Sequence, residues 1–284
     1  MSTSRLFPVR ARTAAAVLSV AVLALTACST DAGTAEADGS AEPAPAAGDD
    51  TSLTEVQERG TITVGTEGTY RPFTFHEDGS GDLTGYDVEI VTAVAEELGL
   101  EVEFEETQWD AIFAGLEAGR FDVVANQVSI TPEREEAYTF SAPYTVSTGV
   151  VVVPADDTSI SSFDDLKGRT TAQSLTSNWH TLAEESGAEI EAVEGWAQSV
   201  ALVEQGRVDA TINDKLTFLD YAANNDASGL KVAAETEDQS LSAFAFRDGS
   251  DALAEAFDEA LATLAEDGTL AEISEKYFGE DVSG

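Results

Sequence analysis

Apolar positions along this chain change their spacing in a regular alternation. Ile62-Thr63-Val64 is a compact run of strand type, and Glu101 to Glu105 alternates polar and apolar residues with a period of two. Between them Val88, Val91, Val94, Ala95 and Leu98 recur three and four apart. That spacing lines one face of a helix, with Asp87 as the expected N-cap and Gly99 as the stop. A second helix is expected from Trp109 to Ala118, ended by Gly119. Strands alternating with helices predict an α/β fold with parallel pairing. Residues 53–284 exceed the usual size of one compact core and suit two lobes.

An internal echo supports two lobes built alike. Leu116-Glu117-Ala118-Gly119-Arg120-Phe121-Asp122 returns as Leu202-Val203-Glu204-Gln205-Gly206-Arg207-Val208-Asp209, and four residues past each aspartate stand polar pairs, Asn126-Gln127 and Asn213-Asp214. Val64-Gly65-Thr66-Glu67 and Ala172-Gln173-Ser174 likewise run from apolar strand into polar residues. In parallel α/β sheets ligands bind beyond the C-terminal strand ends, where these pairs are expected to fall. The chain should leave the first lobe near Thr145 to Gly149, before the apolar strand Val150 to Val153, and return near Glu237 to Ser240. A strand from Ala243 to Phe246 and helices over 250–266 and 269–277 should follow. The expected division is 53–148 with 237–284 for one lobe and 149–236 for the other, with a hinge of two chain crossings and a ligand cleft between.

The N-terminus and the charge change this picture in separate ways. Arg5, Arg10 and Arg12 precede the apolar stretch Ala14 to Leu25, too short to span a bilayer, so residues 1–27 read as a secretory signal peptide. The following Leu25-Thr26-Ala27-Cys28 resembles the lipobox of bacterial lipoproteins, which implies acylation of Cys28 and a lipid-anchored, extracytoplasmic protein. Residues 28–52, poor in large apolar side chains, read as a disordered tether. No later stretch is expected to cross a membrane. With 54 Asp and Glu against 14 Lys and Arg, the net charge of −40 repels nucleic acid and anionic headgroups, so neither is an expected partner. One cysteine excludes an intrachain disulfide, and two histidines exclude a multi-histidine metal site; no cofactor is expected.

Six segments in order carry a resemblance: Val64 to Phe73, Leu83-Thr84-Gly85-Tyr86-Asp87, Trp109-Asp110, Ser129-Ile130-Thr131-Pro132-Glu133-Arg134, Phe140-Ser141-Ala142-Pro143-Tyr144 and Asp164-Asp165-Leu166-Lys167-Gly168. Together they resemble the polar amino-acid-binding proteins of ABC importers, solute-binding protein family 3. The resemblance implies a two-lobed periplasmic-binding-protein-like fold, a monomer, and permease and ATPase subunits as partners. Glu67-Gly68-Thr69-Tyr70, Asn126-Gln127-Val128-Ser129-Ile130, Gln173-Ser174-Leu175-Thr176-Ser177-Asn178 and Asn213-Asp214 resemble the cystine-binding branch, which implies L-cystine as ligand. Receptors for glutamine, histidine or arginine, and a dehydratase on the same fold, stay open as alternatives.

The chemistry of a free amino acid suits these positions. An α-carboxylate calls for a planar bidentate donor, and Arg134 supplies one with Ser129 as a further donor. The ammonium calls for an acid, and the resemblance gives that role to Asp214. Thr176 is expected to cap a helix that presents amides at Ser177, Asn178 and Trp179, with Ser174 beside them. Tyr70 and Trp109 match ligand-wall positions. Glu67, with Asn126, Gln127 and Asn178, is expected to answer the second amino-acid end of cystine. The two histidines, His76 in a polar turn and His180 in a first helical turn, are not expected to be catalytic.

Overall fold

The computed structural model describes residues 50–284, so the expected signal peptide and Cys28 lie outside the described residues. In the first lobe α1 (Ser52–Arg59) leads into β1 (Thr61–Thr66) and a small antiparallel sheet of β2 (Thr69–Tyr70), β3 (Thr74–His76) and β4 (Leu83–Thr84). Then come α2 (Tyr86–Glu97), β5 (Glu101–Glu106), α3 (Trp109–Glu117), β6 (Val123–Ser129), the single turn α4 (Pro132–Glu135) and β7 (Tyr138–Phe140). The crossing strand β8 (Thr145–Ser147), paired with the returning chain, leads to the second lobe, made of β9 (Gly149–Pro154), β10 (Thr170–Gln173), α5 (Asn178–Glu185), β11 (Glu189–Ala192), α6 (Trp196–Glu204), β12 (Thr211–Asp214), α7 (Lys215–Asn224) and β13 (Leu230–Glu235). The long strand β14 (Ser240–Arg247) returns, and α8 (Asp251–Glu266) and α9 (Thr269–Phe278) pack behind it. Among the described residues no helix is long and apolar enough to cross a membrane.

Parallel pairing holds where βα units generate it, for β1 with β5 and β6 and for β10 with β11. It fails for the strands that meet the hinge: β14 runs antiparallel to β6, and β9 antiparallel to both β12 and β13. The reason is direction of travel. βα strands run toward the cleft, whereas β9 starts there, as its Gly149 opposite Asp214 shows. The second crossing is tied to the first where Ser240, Leu241 and Ser242 pair with Ser147, Val146 and Thr145.

The internal echo is a structural repeat. Asp122 accepts a bond from the Thr63 amide at 2.8 Å and donates its own amide to Thr63 O at 2.8 Å; Asp209 does the same with Thr170 at 2.8 and 2.8 Å. Gly119 and Gly206 each take the left-handed conformation that ends the helix, φ 68° and 64°. Phe121 is the chief difference between the two copies. Its ring lies against Gly65 and Gly115, at positions the repeat fills with Ala172 and Leu202, and the phenylalanine itself is replaced by Val208.

Two local expectations are corrected. Gly85, not Asp87, sits at the cap of α2; Asp87 is fully buried in the first turn, where its carboxylate accepts the amide and Nε2 of Gln127 at 2.6 and 2.7 Å and the hydroxyl of Tyr144 at 2.9 Å. The tether does not extend to residue 52. Asp50 accepts the Ala252 amide and Ser52 the Leu253 amide, so these side chains satisfy free donors in the first turn of α8 and fasten the body's start to its end.

Candidate functional site

Arg134 is positioned by a local device legible in the sequence. Thr131 caps α4 by accepting the Arg134 amide, and Pro132 occupies the first helical position, which needs no donor. Arg134 is 9% exposed as a residue, and its guanidinium donates to the carbonyls of Ser129 at 2.9 Å and Thr176 at 3.3 Å and lies 5.3 Å from the Trp109 ring and 5.2 Å from the Phe113 ring. Burial lowers its pKa to about 10, which leaves it charged at neutral pH. Among the described residues no carboxylate forms an ion pair with it, although the chain has 54 acids.

A cavity of about 480 Å³ opens between the lobes, with Trp109, the ring that Arg134 lies over, in its wall. Eight of the eleven ligand residues expected from sequence line it: Glu67, Tyr70, Trp109, Asn126, Gln127, Ser174, Ser177 and Asn178. Ser129 lines a second, more open cavity toward the hinge and bonds Ser240 across the two crossings at 3.1 Å. Neither Arg134 nor Asp214 lines the first cavity. Asp214 caps α7 by accepting the Leu216 amide at 2.8 Å and takes the Ser147 hydroxyl at 2.7 Å, both on Oδ1. Burial raises its pKa to about 6.

The polar pair on β6 is more committed than its sequence suggests. Asn126 Oδ1 accepts from Thr66, the Glu67 amide and Thr74, while Nδ2 donates to Glu67 Oε2 at 2.7 Å, so Asn126 orients Glu67. Gln127 holds φ at +50°, an uncommon value for a residue with a side chain, beside the bulge where β14 slips against β6. Its Nε2 is spent on Asp87 and Thr145, and its buried Oε1 has no partner. Burial raises Glu67 to about 7 against the bond from Asn126 and the nearby Trp109 amide, with Asp110 and Glu194 adding repulsion.

The helix cap expected at Thr176 belongs to Ser177, whose hydroxyl accepts the His180 amide at 3.0 Å. Thr176 instead crosses the cleft, its amide and hydroxyl both donating to Asp110 at 3.0 and 2.8 Å. Tyr70 also bridges the lobes: its hydroxyl donates to Asn213 at 2.9 Å and accepts from Thr217 at 3.0 Å. With the Arg134 bond to Thr176, these contacts describe a closed cleft. His76 bonds Gly81 and Glu106, His180 faces Glu184, and neither lines the cavity.

Sequence reasoning missed part of the wall. Gln173 and the stretch Glu194-Gly195-Trp196-Ala197-Gln198 line the cavity from the second lobe. The repeat held the signal: Trp109 and Trp196 each stand 13 residues before the repeated aspartate and each open a helix at the cleft. Of four buried side-chain atoms without a partner among the described residues, three belong to cavity residues: Trp109 Nε1, Gln127 Oε1 and Gln173 Nε2.

Two lobes closing on a cavity, with a buried arginine that has no carboxylate partner among the described residues, define a ligand receptor of two-lobed architecture. Residues 62–280 match the bacterial extracellular solute-binding proteins, family 3, and the chain belongs to that family. It is 55% identical over 228 residues, 80% of this chain and 88% of the relative, to a probable amino-acid ABC transporter-binding protein of Haemophilus influenzae. It is 52% identical, over 80% of this chain and 85% of the relative, to the L-cystine-binding protein TcyA of Bacillus subtilis. Among solved structures, the L-cystine solute receptor of Neisseria gonorrhoeae in its unliganded open conformation is 48% identical, covering 82% of this chain and 99% of that one, with a TM-score of 0.56. That modest score at high identity fits a different lobe angle, since the cleft here is closed.

Proposed function

We propose that this protein is the substrate-binding receptor of an ABC-type amino-acid importer and that its ligand is L-cystine, held between lobes of residues 53–148 with 237–284 and residues 149–236. The observation that carries the amino-acid reading is Arg134, a buried guanidinium with no carboxylate partner among the described residues. A buried charge without a counter-ion is costly, and a ligand α-carboxylate supplies the missing anion in the bidentate form a guanidinium prefers. Asp214, whose Oδ2 takes no bond from the described residues, is the acid for the α-ammonium, and Gln127 Oε1 adds an acceptor. Tyr70 and Trp109 enclose the side chain, with Ser129, Ser174, Ser177 and Asn178 around it. Glu67, raised by burial and oriented by Asn126, suits a ligand with a second positive charge. In this role the protein binds its ligand without transforming it and hands it to a permease with ATPase subunits.

Calorimetry with L-cystine on the parent and on Arg134→Ala tests the reading. Removing one partner of a buried charge pair costs about 2–5 kcal/mol. At about 1.4 kcal/mol per decade, the variant should bind roughly 30-fold to several thousand-fold more weakly. A variant within about threefold of the parent removes Arg134 from the site, and a parent that prefers glutamine, histidine or arginine overturns cystine. The proposal includes anchoring through an acylated Cys28. A Cys28→Ser variant should leave the membrane fraction while still binding ligand, and retention in that fraction would refute the anchor.

A further inference from the structure

The internal repeat points to where the far end of the ligand is held. In the first lobe a carboxyl group stands near the N-terminus of α3: the Trp109 amide favours the ionised form of Glu67, just past β1, against the larger effect of burial. The repeat carries Trp109 onto Trp196 and, by the Thr63–Thr170 correspondence, Glu67 onto Ser174. The second lobe therefore has the helix without an acid at the equivalent chain position. At the N-terminus of α6 the cap residue is Gly195, which has no side chain to accept, and the amides of Trp196 and Ala197 donate to none of the described residues. Gln198 Oε1 turns back to the Glu194 amide at 3.2 Å, away from them.

Independent observations place ligand chemistry at the same spot. Gln173, 3% exposed and lining the cavity, pairs in register with Ala192 and accepts the Val193 amide, so it adjoins the start of α6. Its Nε2 has no partner. Across the gap, Trp109 Nε1 is a second unpartnered donor, 8% exposed as a residue. Glu67 approaches Gly195 closely enough that a Cβ built there would stand 3.9 Å from its carboxylate. The far wall thus combines free N–H donors with the acids Glu67 and Glu194. A ligand end bearing only a cation would leave the donors unpaired, and one bearing only an anion would meet the acids.

We propose that the N-terminus of α6, with Gln173 and Trp109, forms a second amino-acid subsite: the free amides and side-chain donors take a carboxylate, and Glu67 with Glu194 takes the ammonium beside it. The ligand class is a molecule with an amino-acid group at each end, and the inference rests on the cystine reading above. Ligand binding makes good, in the second lobe, the carboxylate that Glu67 supplies in the first.

The test compares L-cystine with the mixed disulfide of cysteine and cysteamine, which keeps the first end, the disulfide and the second ammonium and lacks only the second carboxylate. The parent should bind cystine at least roughly tenfold more tightly, the scale of a lost charge-assisted bond. Ala197→Asp, an exposed site in the first turn of α6, favours the helix dipole and should keep or raise the melting temperature while it repels a carboxylate. That variant should lose at least roughly tenfold for cystine and little for the mixed disulfide. Gln173→Met, which removes the buried donor at similar volume, should narrow the same ratio if Ala197→Asp fails to fold. Equal affinity of the parent for both ligands, or undiminished preference for cystine in a folded variant, overturns the second subsite and leaves the receptor reading intact. A parent that binds no cystine overturns both.

Discussion

At the scale of single residues, the site is defined by side chains held away from their ordinary ionisation. Burial raises Glu67 to about 7 and Asp87 and Asp214 each to about 6, above ordinary carboxylates. For a raised acid the folded protein holds a proton that the unfolded chain has released. Its stability contribution is therefore present below about pH 4 and lost as pH rises through 6 to 7. The unliganded protein should melt at a higher temperature at pH 5 than at pH 8. Binding reverses the sign for Glu67 and Asp214, because pairing with an ammonium favours the carboxylate and expels the proton. Cystine affinity should rise with pH by about one decade per unit for each group below its pKa, and level off above about pH 7. Calorimetry across that range checks it; affinity flat from pH 5 to 8 would separate both carboxylates from the ligand.

The elements show why two copies of one plan need different side chains. Phe121 is 1% exposed and presses its ring between β1 and α3, where a Cβ on Gly65 or Gly115 would come within 2.5 or 2.7 Å of ring carbons. In the second lobe the volume is redistributed among Ala172, Leu202 and Val208. Gly115→Ala should therefore destabilise by about 1–3 kcal/mol through overpacking, against a gain of about 1 kcal/mol in helix propensity. Phe121→Val in the same chain should recover part of that loss, so the double variant is more stable than the sum of the single changes requires. Denaturant melts of the four proteins give the coupling. Strict additivity would mean the ring does not occupy this gap.

At the scale of the whole molecule, closure is carried by a few bonds across a polar gap. Tyr70 bonds Asn213 and Thr217, Thr176 bonds Asp110 and Arg134, and Arg71 pairs with Asp220 at 3.3 Å nearer the surface. Tyr70→Phe removes two of these bonds while the ring keeps its packing on Phe73 at 5.1 Å. At about 0.5–1.5 kcal/mol per net hydrogen bond, it should shift the lobes toward opening and weaken ligand binding by roughly several-fold to a hundredfold. X-ray scattering of the unliganded variant should give a larger radius of gyration than the parent; identical curves and affinities would remove Tyr70 from the latch.

Much of this was written in the sequence because local chemistry dictates it. Period and glycine stops located β1, α2, β5 and α3, and the Gly-Arg-x-Asp echo pointed to two lobes; the Thr131-Pro132 pair dictates by the same local chemistry the turn that carries Arg134. Eight of the eleven residues the family resemblance pointed to line one cavity, while Ser129, Arg134 and Asp214 do not. What sequence could not decide was which polar groups remain free once the chain packs. Asn126 and most of Gln127 are consumed by Glu67, Asp87 and Thr145, whereas Gln173 and Trp109 keep a buried donor unspent. The antiparallel hinge strands were hidden for the same reason. Period and propensity are properties of neighbouring residues, while direction of travel, hydrogen-bond satisfaction and the approach of two lobes depend on segments roughly a hundred residues apart, and those meet only in the tertiary structure.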